Sequence, residues 1–110
     1  MEKTKTLDTW VEKYILEILP KIKEVLNPQS VIIFGSRVRG EGSEESDLDV
    51  LIVSDFFTNK SFLGRMPMML RTFRFPRSVD YLCYSPDEFE IIKSNSIVVK
   101  EALNEGMRVV

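Results

Sequence analysis

Residues 34–50 read FGSRVRGEGSEESDLDV. An apolar run, Val31-Ile32-Ile33-Phe34, stops at Gly35-Ser36, and ten mostly polar residues follow. Asp47-Leu48-Asp49 then opens a second apolar run, Val50-Leu51-Ile52-Val53. Both runs are short, continuous and rich in β-branched residues, the signature of strands covered on both faces. Side chains alternate along a strand, so Asp47 and Asp49 project to the same side. Two carboxylates held together repel, and nearby burial makes their ionisation costlier still. A divalent cation relieves both penalties. Magnesium takes oxygen ligands, keeps several waters, and is commonly held by one or two carboxylates plus substrate phosphates. At the other end of the stretch, glycine lets backbone amides approach a phosphate closely and Ser36 adds a hydroxyl. A helical turn opening at Ser36 adds free amides and a dipole that favour an anion. Phosphate donors and metal ligands on one segment are what phosphoryl transfer needs.

The composition narrows the chemistry. A chain of 110 residues is expected to form one domain, residues 1–110, around one core. With 44% apolar and 29% charged residues it reads as globular rather than disordered. No apolar run is long enough to cross a bilayer, and Met1-Glu2-Lys3-Thr4-Lys5-Thr6 lacks the apolar block of a secretory signal. The one cysteine, Cys83, cannot form an internal disulfide and fits a reducing cytoplasm. A net charge of −2 argues against nucleic acid as the main partner without excluding it. The absence of histidine excludes His general bases, Ser-His-Asp and Cys-His arrangements and the usual zinc sites. Carboxylates with hard cations remain the natural candidates.

Around this centre, residues 7–26 read as a helix with the stripe Val11, Ile15, Ile18, Ile22 and Val25, kinked or restarted at Pro20 and ended by Asn27-Pro28. Residues 37–46 suit a turn or short helix and a loop, and 55–60 a turn. Residues 61–73 read as a helix with Leu63, Met66, Leu70 and Phe73 on its core stripe, stopped by Pro76. Residues 78–84 make a third strand. Ser85-Pro86-Asp87-Glu88 is a capping-box helix start, residues 97–104 form a last helix capped by Gly106, and 107–110 suit a short strand.

Gly-Ser, ten residues and Asp-x-Asp between two apolar strands resembles the signature of the polymerase-β-like nucleotidyltransferases, and FGSRVRGEGSEESDLDVLIV is similar to their minimal, MNT-type branch. The resemblance extends over the whole chain. It implies an α/β (α+β) fold, a short mixed β-sheet packed against helices as in the polymerase-β palm. It implies a third carboxylate on a later strand, which Val79-Asp80-Tyr81-Leu82 supplies at Asp80. Carried over, Asp47 and Asp49 would hold two magnesium ions and Asp80 one of them, while Gly35 and Ser36 would grip the β- and γ-phosphates of a nucleoside triphosphate, ATP above all. Arg37 and Arg39, beside the turn, are candidates for the same phosphates, with solvated loop arginines as the bland alternative. The implied reaction moves a nucleoside monophosphate, such as AMP, to an acceptor hydroxyl.

Larger members of that family carry a second domain that grips base and acceptor, and 110 residues leave no room for one. A partner or a second copy would then supply the acceptor. The family suggests a small helical HEPN-type protein, in a toxin–antitoxin pair where the nucleotidyltransferase is the antitoxin. Two rival readings are a module that neutralises a partner by contact alone and a nucleotide-sensing regulator. Arg65, Arg71, Arg74 and Arg77 make 65–77 basic, read either as a patch for an acidic partner or as an ordinary charged helix face. Met66, Met68 and Met69 suit either a partner surface or core filler. Ser46 is assigned to local hydrogen bonding, Cys83 to an inert buried site, and Tyr81 and Tyr84 to packing.

Overall fold

A computed structural model describes residues 7–110. The polar stretch 1–6, read above for the lack of a secretory signal, lies outside the described residues. The elements in order are α1 (Thr9–Glu17), α2 (Leu19–Leu26), β1 (Ser30–Phe34), α3 (Ser36–Arg39), β2 (Leu48–Val53), a 3-10 turn (Asp55–Phe57), α4 (Phe62–Thr72), β3 (Val79–Tyr84), α5 (Pro86–Ile92), α6 (Ile97–Glu105) and β4 (Met107–Arg108). The four strands make one mixed sheet in the order β3-β2-β1-β4. β1 is antiparallel to β2 and β4, and β2 is parallel to β3. The parallel pair needs a long crossover, which α4 supplies. Among the described residues, no helix is long and apolar enough to span a membrane.

Both faces of the sheet are covered, as the continuous apolar runs predict. Val31, Ile33, Leu48, Val50, Ile52, Val79, Tyr81 and Cys83 pack against α1, α2 and the inner side of α4. Ile32, Phe34, Leu51, Val53 and Tyr84 pack against α5 and α6. The expected helix 7–26 is two helices. Asp8 caps α1, its Oδ1 accepting from the Trp10 and Val11 amides at 2.8 and 3.2 Å. The chain breaks at Ile18, and Pro20 sits in the first turn of α2, where its missing N–H costs no intrahelical bond. The restart moves the inward stripe to Leu19, Ile22 and Leu26, and Val25 turns to solvent. The capping box at Ser85 and Glu88 forms as expected. Gly106 also ends α6, but through space rather than a left-handed backbone: a Cβ there would collide with Ile32 and the Ala102 carbonyl.

α4 departs most from expectation. Of the stripe Leu63, Met66, Leu70 and Phe73, only Phe73 turns inward; Leu63 is 85% exposed, and Met66 and Leu70 also face out. The buried side carries Arg65 and Met69. Arg65, 4% exposed, fixes this rotation. Its Nη1 donates to the Cys83 carbonyl (3.0 Å) and Glu88 Oε1 (2.6 Å), and its Nη2 to Phe57 O (3.0 Å), Lys60 O (2.7 Å) and Glu88 Oε2 (3.0 Å). One guanidinium therefore ties α4 to β3, to the 3-10 turn and to the start of α5. Buried polar groups must be paired, so this demand outweighs the exposure of three aliphatic side chains. Arg65 is thus neither of the two readings offered for the basic stretch. Arg77 is also engaged, stacked 4.6 Å over Trp10 and bonded to Glu44 at 2.9 Å. Tyr14 and Tyr81 share a buried hydroxyl hydrogen bond of 2.7 Å.

Arg65→Ala should leave the Cys83 and Lys60 carbonyls without their donor and lower stability by about 3 kcal/mol in urea denaturation. Hydrogen bonding from Arg65 holds Glu88 down at about 2 against an ordinary value of 4.5. A lowered carboxylate stabilises the fold above its unfolded value and loses that contribution as pH falls through the folded one. Acid unfolding of the wild type should therefore steepen below about pH 4.5, and Glu88→Gln should remove that share of the slope.

Candidate active site

The antiparallel register of β1 and β2 pairs Phe34 with Asp49, and the parallel register of β2 and β3 pairs Asp49 with Asp80. Paired residues on adjacent strands project to the same face. Asp49 and Asp80 therefore stand side by side on the face covered further along by α5 and α6. Asp47, two residues before Asp49, lies just outside β2, close enough for its charge to act on Asp49. Asp49 is half-buried, while Asp47 and Asp80 are exposed. The site is an open shelf at the sheet edge, formed by the C-terminal end of β1 and the N-terminal ends of β2 and β3.

Gly35 closes one side of it. It adopts φ +88°, a left-handed conformation suited to glycine, and a Cβ there would strike the Asp49 carboxylate. The Gly-Ser turn and the Asp-x-Asp strand thus meet in space as the spacing predicts. Ser36 opens α3, and the Val38 and Arg39 amides return to the Gly35 carbonyl at 3.1 Å.

Burial, then the neighbouring Asp80 and Asp47 charges, then Glu101, push the Asp49 carboxyl up to about 6. Glu101 is a participant the sequence reading missed. It lies on α6, over fifty residues after the Asp-x-Asp pair, and only the packing of that helix on β1 brings it near. Its Oε2 accepts from Arg39 Nη1 at 3.3 Å, and Arg39 Nε donates to Glu41 at 3.0 Å. Arg39 is thus a half-buried cation at the margin of the shelf.

Arg37 is not brought there. It is 5% exposed, and its Nε, Nη1 and Nη2 donate to Ser46 O (2.7 Å), Asp8 Oδ2 (2.9 Å) and Glu44 O (2.9 Å). Its fork is spent on holding the 40–46 loop against the start of α1. Ser46 Oγ accepts from the Ser43 amide at 2.9 Å, the local role expected of it. Burial pushes the Cys83 thiol up to about 12, consistent with an inert residue.

Among the described residues, no three His, Cys, Asp or Glu side chains close around one point tightly enough to hold a metal ion alone. The donor set nevertheless fits magnesium. Its donors are carboxylate oxygens, burial and then the neighbouring carboxylates raise Asp49, and the open shelf leaves room for the waters and phosphates that magnesium retains.

Gly35→Ala should force both a strained backbone and a shift of Asp49, costing about 2 kcal/mol by thermal or urea unfolding. A raised carboxyl favours the fold while protonated, so stability falls as pH rises from about 3.8 through about 6. Asp49→Asn in chelator should melt at a higher temperature than wild type above that window, and the gain should vanish below it.

The sequence model of the nucleotidyltransferase domain family matches residues 12–107. A proposed protein adenylyltransferase of Methanocaldococcus jannaschii is 42% identical over 52 residues, 44% of this chain and 52% of that protein. The chain thus spans about half the length of the curated relative it matches. The crystal structure of a proposed nucleotidyltransferase from Sulfolobus solfataricus superposes with a TM-score of 0.56 at 24% identity, covering 98% of this chain and 89% of that one. A second proposed nucleotidyltransferase gives 0.52 at 24% identity, covering 91% and 98%. The BolA domain of SufE1 from Arabidopsis thaliana gives 0.51 at 20% identity, covering 66% and 92%. These likenesses show the fold alone. With the family match running from α1 to β4, this chain belongs to the nucleotidyltransferase domain family.

Proposed function

We propose that the chain transfers a nucleoside monophosphate, AMP by preference, from a nucleoside triphosphate to a hydroxyl on a protein, with Asp47, Asp49 and Asp80 as its catalytic carboxylates. The observation that carries this reading is the in-register pairing of Asp49 with Asp80, with the Asp47 charge close by and Gly35 packed against Asp49. In the reaction the acceptor oxygen attacks the α-phosphorus, the bond from that phosphorus to the bridging oxygen breaks, and pyrophosphate leaves.

Asp47 and Asp49 would hold two magnesium ions, with Asp80 sharing the one nearer the acceptor. When bound, the ions neutralise the phosphate charge and stabilise attacking and leaving oxygens. Asp80, exposed on β3, takes the hydroxyl proton on its carboxylate. The Gly35 and Ser36 backbone and the Ser36 hydroxyl bind the β- and γ-phosphates. Arg39 reaches the same oxygens by exchanging its Glu41 or Glu101 partner for phosphate. Arg37 contributes indirectly, by fixing the loop that leads into Asp47. The protein acceptor draws support from the description of the Methanocaldococcus relative. We place the reaction in the cytoplasm, in an antitoxin paired with a small helical HEPN-type protein.

Purified protein given magnesium and ATP labelled at the α-phosphate should transfer label to its acceptor. The Asp47→Asn, Asp49→Asn double variant should fall by about a hundredfold or more. Equal transfer by both proteins would end this reading. One feature favours a second reading, neutralisation by contact alone: the outward apolar face of α4. Full protection of cells by the double variant against the partner's toxicity would select it.

A further inference from the structure

We propose that the groove between α4 and the free edge of β3 seats an extended segment of the protein substrate and presents a hydroxyl from that segment to Asp80. The proposal rests on the transferase reading above and names the surface that recognises its acceptor.

The groove holds about 370 Å³ and is lined by Phe62, Leu63, Met66 and Leu70 of α4 and by Asp80 and Leu82 of β3, among others. Its apolar wall is not a loosely packed accident. Arg65 locks the rotation of α4 through three carbonyls and Glu88, and that rotation sets Leu63, Met66 and Leu70 outward. Phe62 also lines an adjoining hollow of about 400 Å³ with Tyr84, Ile91 and Ile92, so the apolar floor continues to α5. Contiguous exposed apolar surface of this kind marks an interaction site.

The other wall is the edge of the sheet. β3 has a neighbour on one side only. The bonds from Leu48 N to Ser78 O and from Ser54 N to Tyr84 O turn the backbone of even-numbered residues toward β2. Odd-numbered residues turn away from β2; Val79, Tyr81 and Cys83 are buried, the Cys83 carbonyl is taken by Arg65, and Tyr81 and Cys83 form the floor of the groove between Asp80 and α4. An extended peptide can lie along this floor while alternate side chains enter the apolar wall.

Charge gives the segment its remaining character. Arg71 and Arg74 are exposed past the Leu70 end of α4, and neither has an ion pair among the described residues. They suit acidic side chains on the peptide. A nucleic acid would use these arginines and leave the aliphatic wall unfilled. A second copy of this chain burying the wall would cover the approach to Asp80.

The test uses fluorescent peptides with alternating leucine and valine, one tyrosine, serine or threonine, and two following aspartates. Binding to the Asp47→Asn, Asp49→Asn protein is read by anisotropy, so no turnover is needed. Leu63→Glu with Met66→Glu should weaken binding by about tenfold or more, with an unchanged circular dichroism melt; Leu70→Glu serves if that pair misfolds. In the otherwise wild-type protein the same charged substitutions should abolish label transfer to the peptide while ATP binding persists. No peptide binding, or binding indifferent to these variants, overturns the proposal. So does a wild-type dimer that the charged variant splits, or tighter, variant-sensitive binding of an oligonucleotide with a free 3′-hydroxyl. Variant-sensitive peptide binding without any label transfer upholds the docking surface and sinks the transferase reading.

Discussion

The register of β2 is the constraint from which the site follows. β2 is antiparallel to one neighbour and parallel to the other, and its two registers together set Asp49 between the end of β1 and Asp80. A slip of one residue would turn Asp49 into the core and a valine or leucine onto the shelf. The slip is opposed by the five apolar side chains of β2, Leu48, Val50, Leu51, Ile52 and Val53, which would all change faces at once. The protein thus tolerates a half-buried carboxylate beside two like charges because the packing that places it outweighs the repulsion. Strain gathered at one small site and offset by the surrounding core is a common arrangement where a fold carries chemistry.

Much of this is legible in the sequence alone. The two apolar strands, the Gly-Ser turn and the Asp-x-Asp spacing are local features, and local rules read them correctly. Asp80 was found through a resemblance rather than through its own neighbourhood, since a lone aspartate on a strand carries little signal. The helix starts at Asp8 and Ser85 show the same contrast. The capping box at Ser85 has two reciprocal partners in the sequence and is legible there; the cap at Asp8 has one and is hidden by the longer apolar stripe.

What escaped was whatever depends on long-range pairing. α4 has apolar residues on both sides, so periodicity offers two stripes and cannot choose between them. The choice belongs to Arg65, whose acceptors come from residues 57, 60, 83 and 88. Arg37 reads in sequence as a phosphate ligand or a solvated residue, and its inward fork depends on Asp8 and on the path of the loop. Glu101 approaches the shelf only because α6 packs on β1. In each case an arginine or a glutamate on a helix looked like surface until distant partners were in place.

The Arg37 tether also bears on how this family can diversify. Three donors of one side chain reach residues 8, 44 and 46, which sets the contour length of the loop almost as a cross-link would. An added or deleted residue between Gly40 and Ser46 must break at least one of those bonds or drag the first aspartate out of line. The turn at 94–95 carries less, with Ser94 and Asn95 exposed and bonded only to Ile91 and Ile92, one turn earlier. Inserted sequence, whether evolved or engineered, therefore has a natural home at that turn, and the spacing between the Gly-Ser turn and the acidic pair behaves as a ruler rather than a spacer.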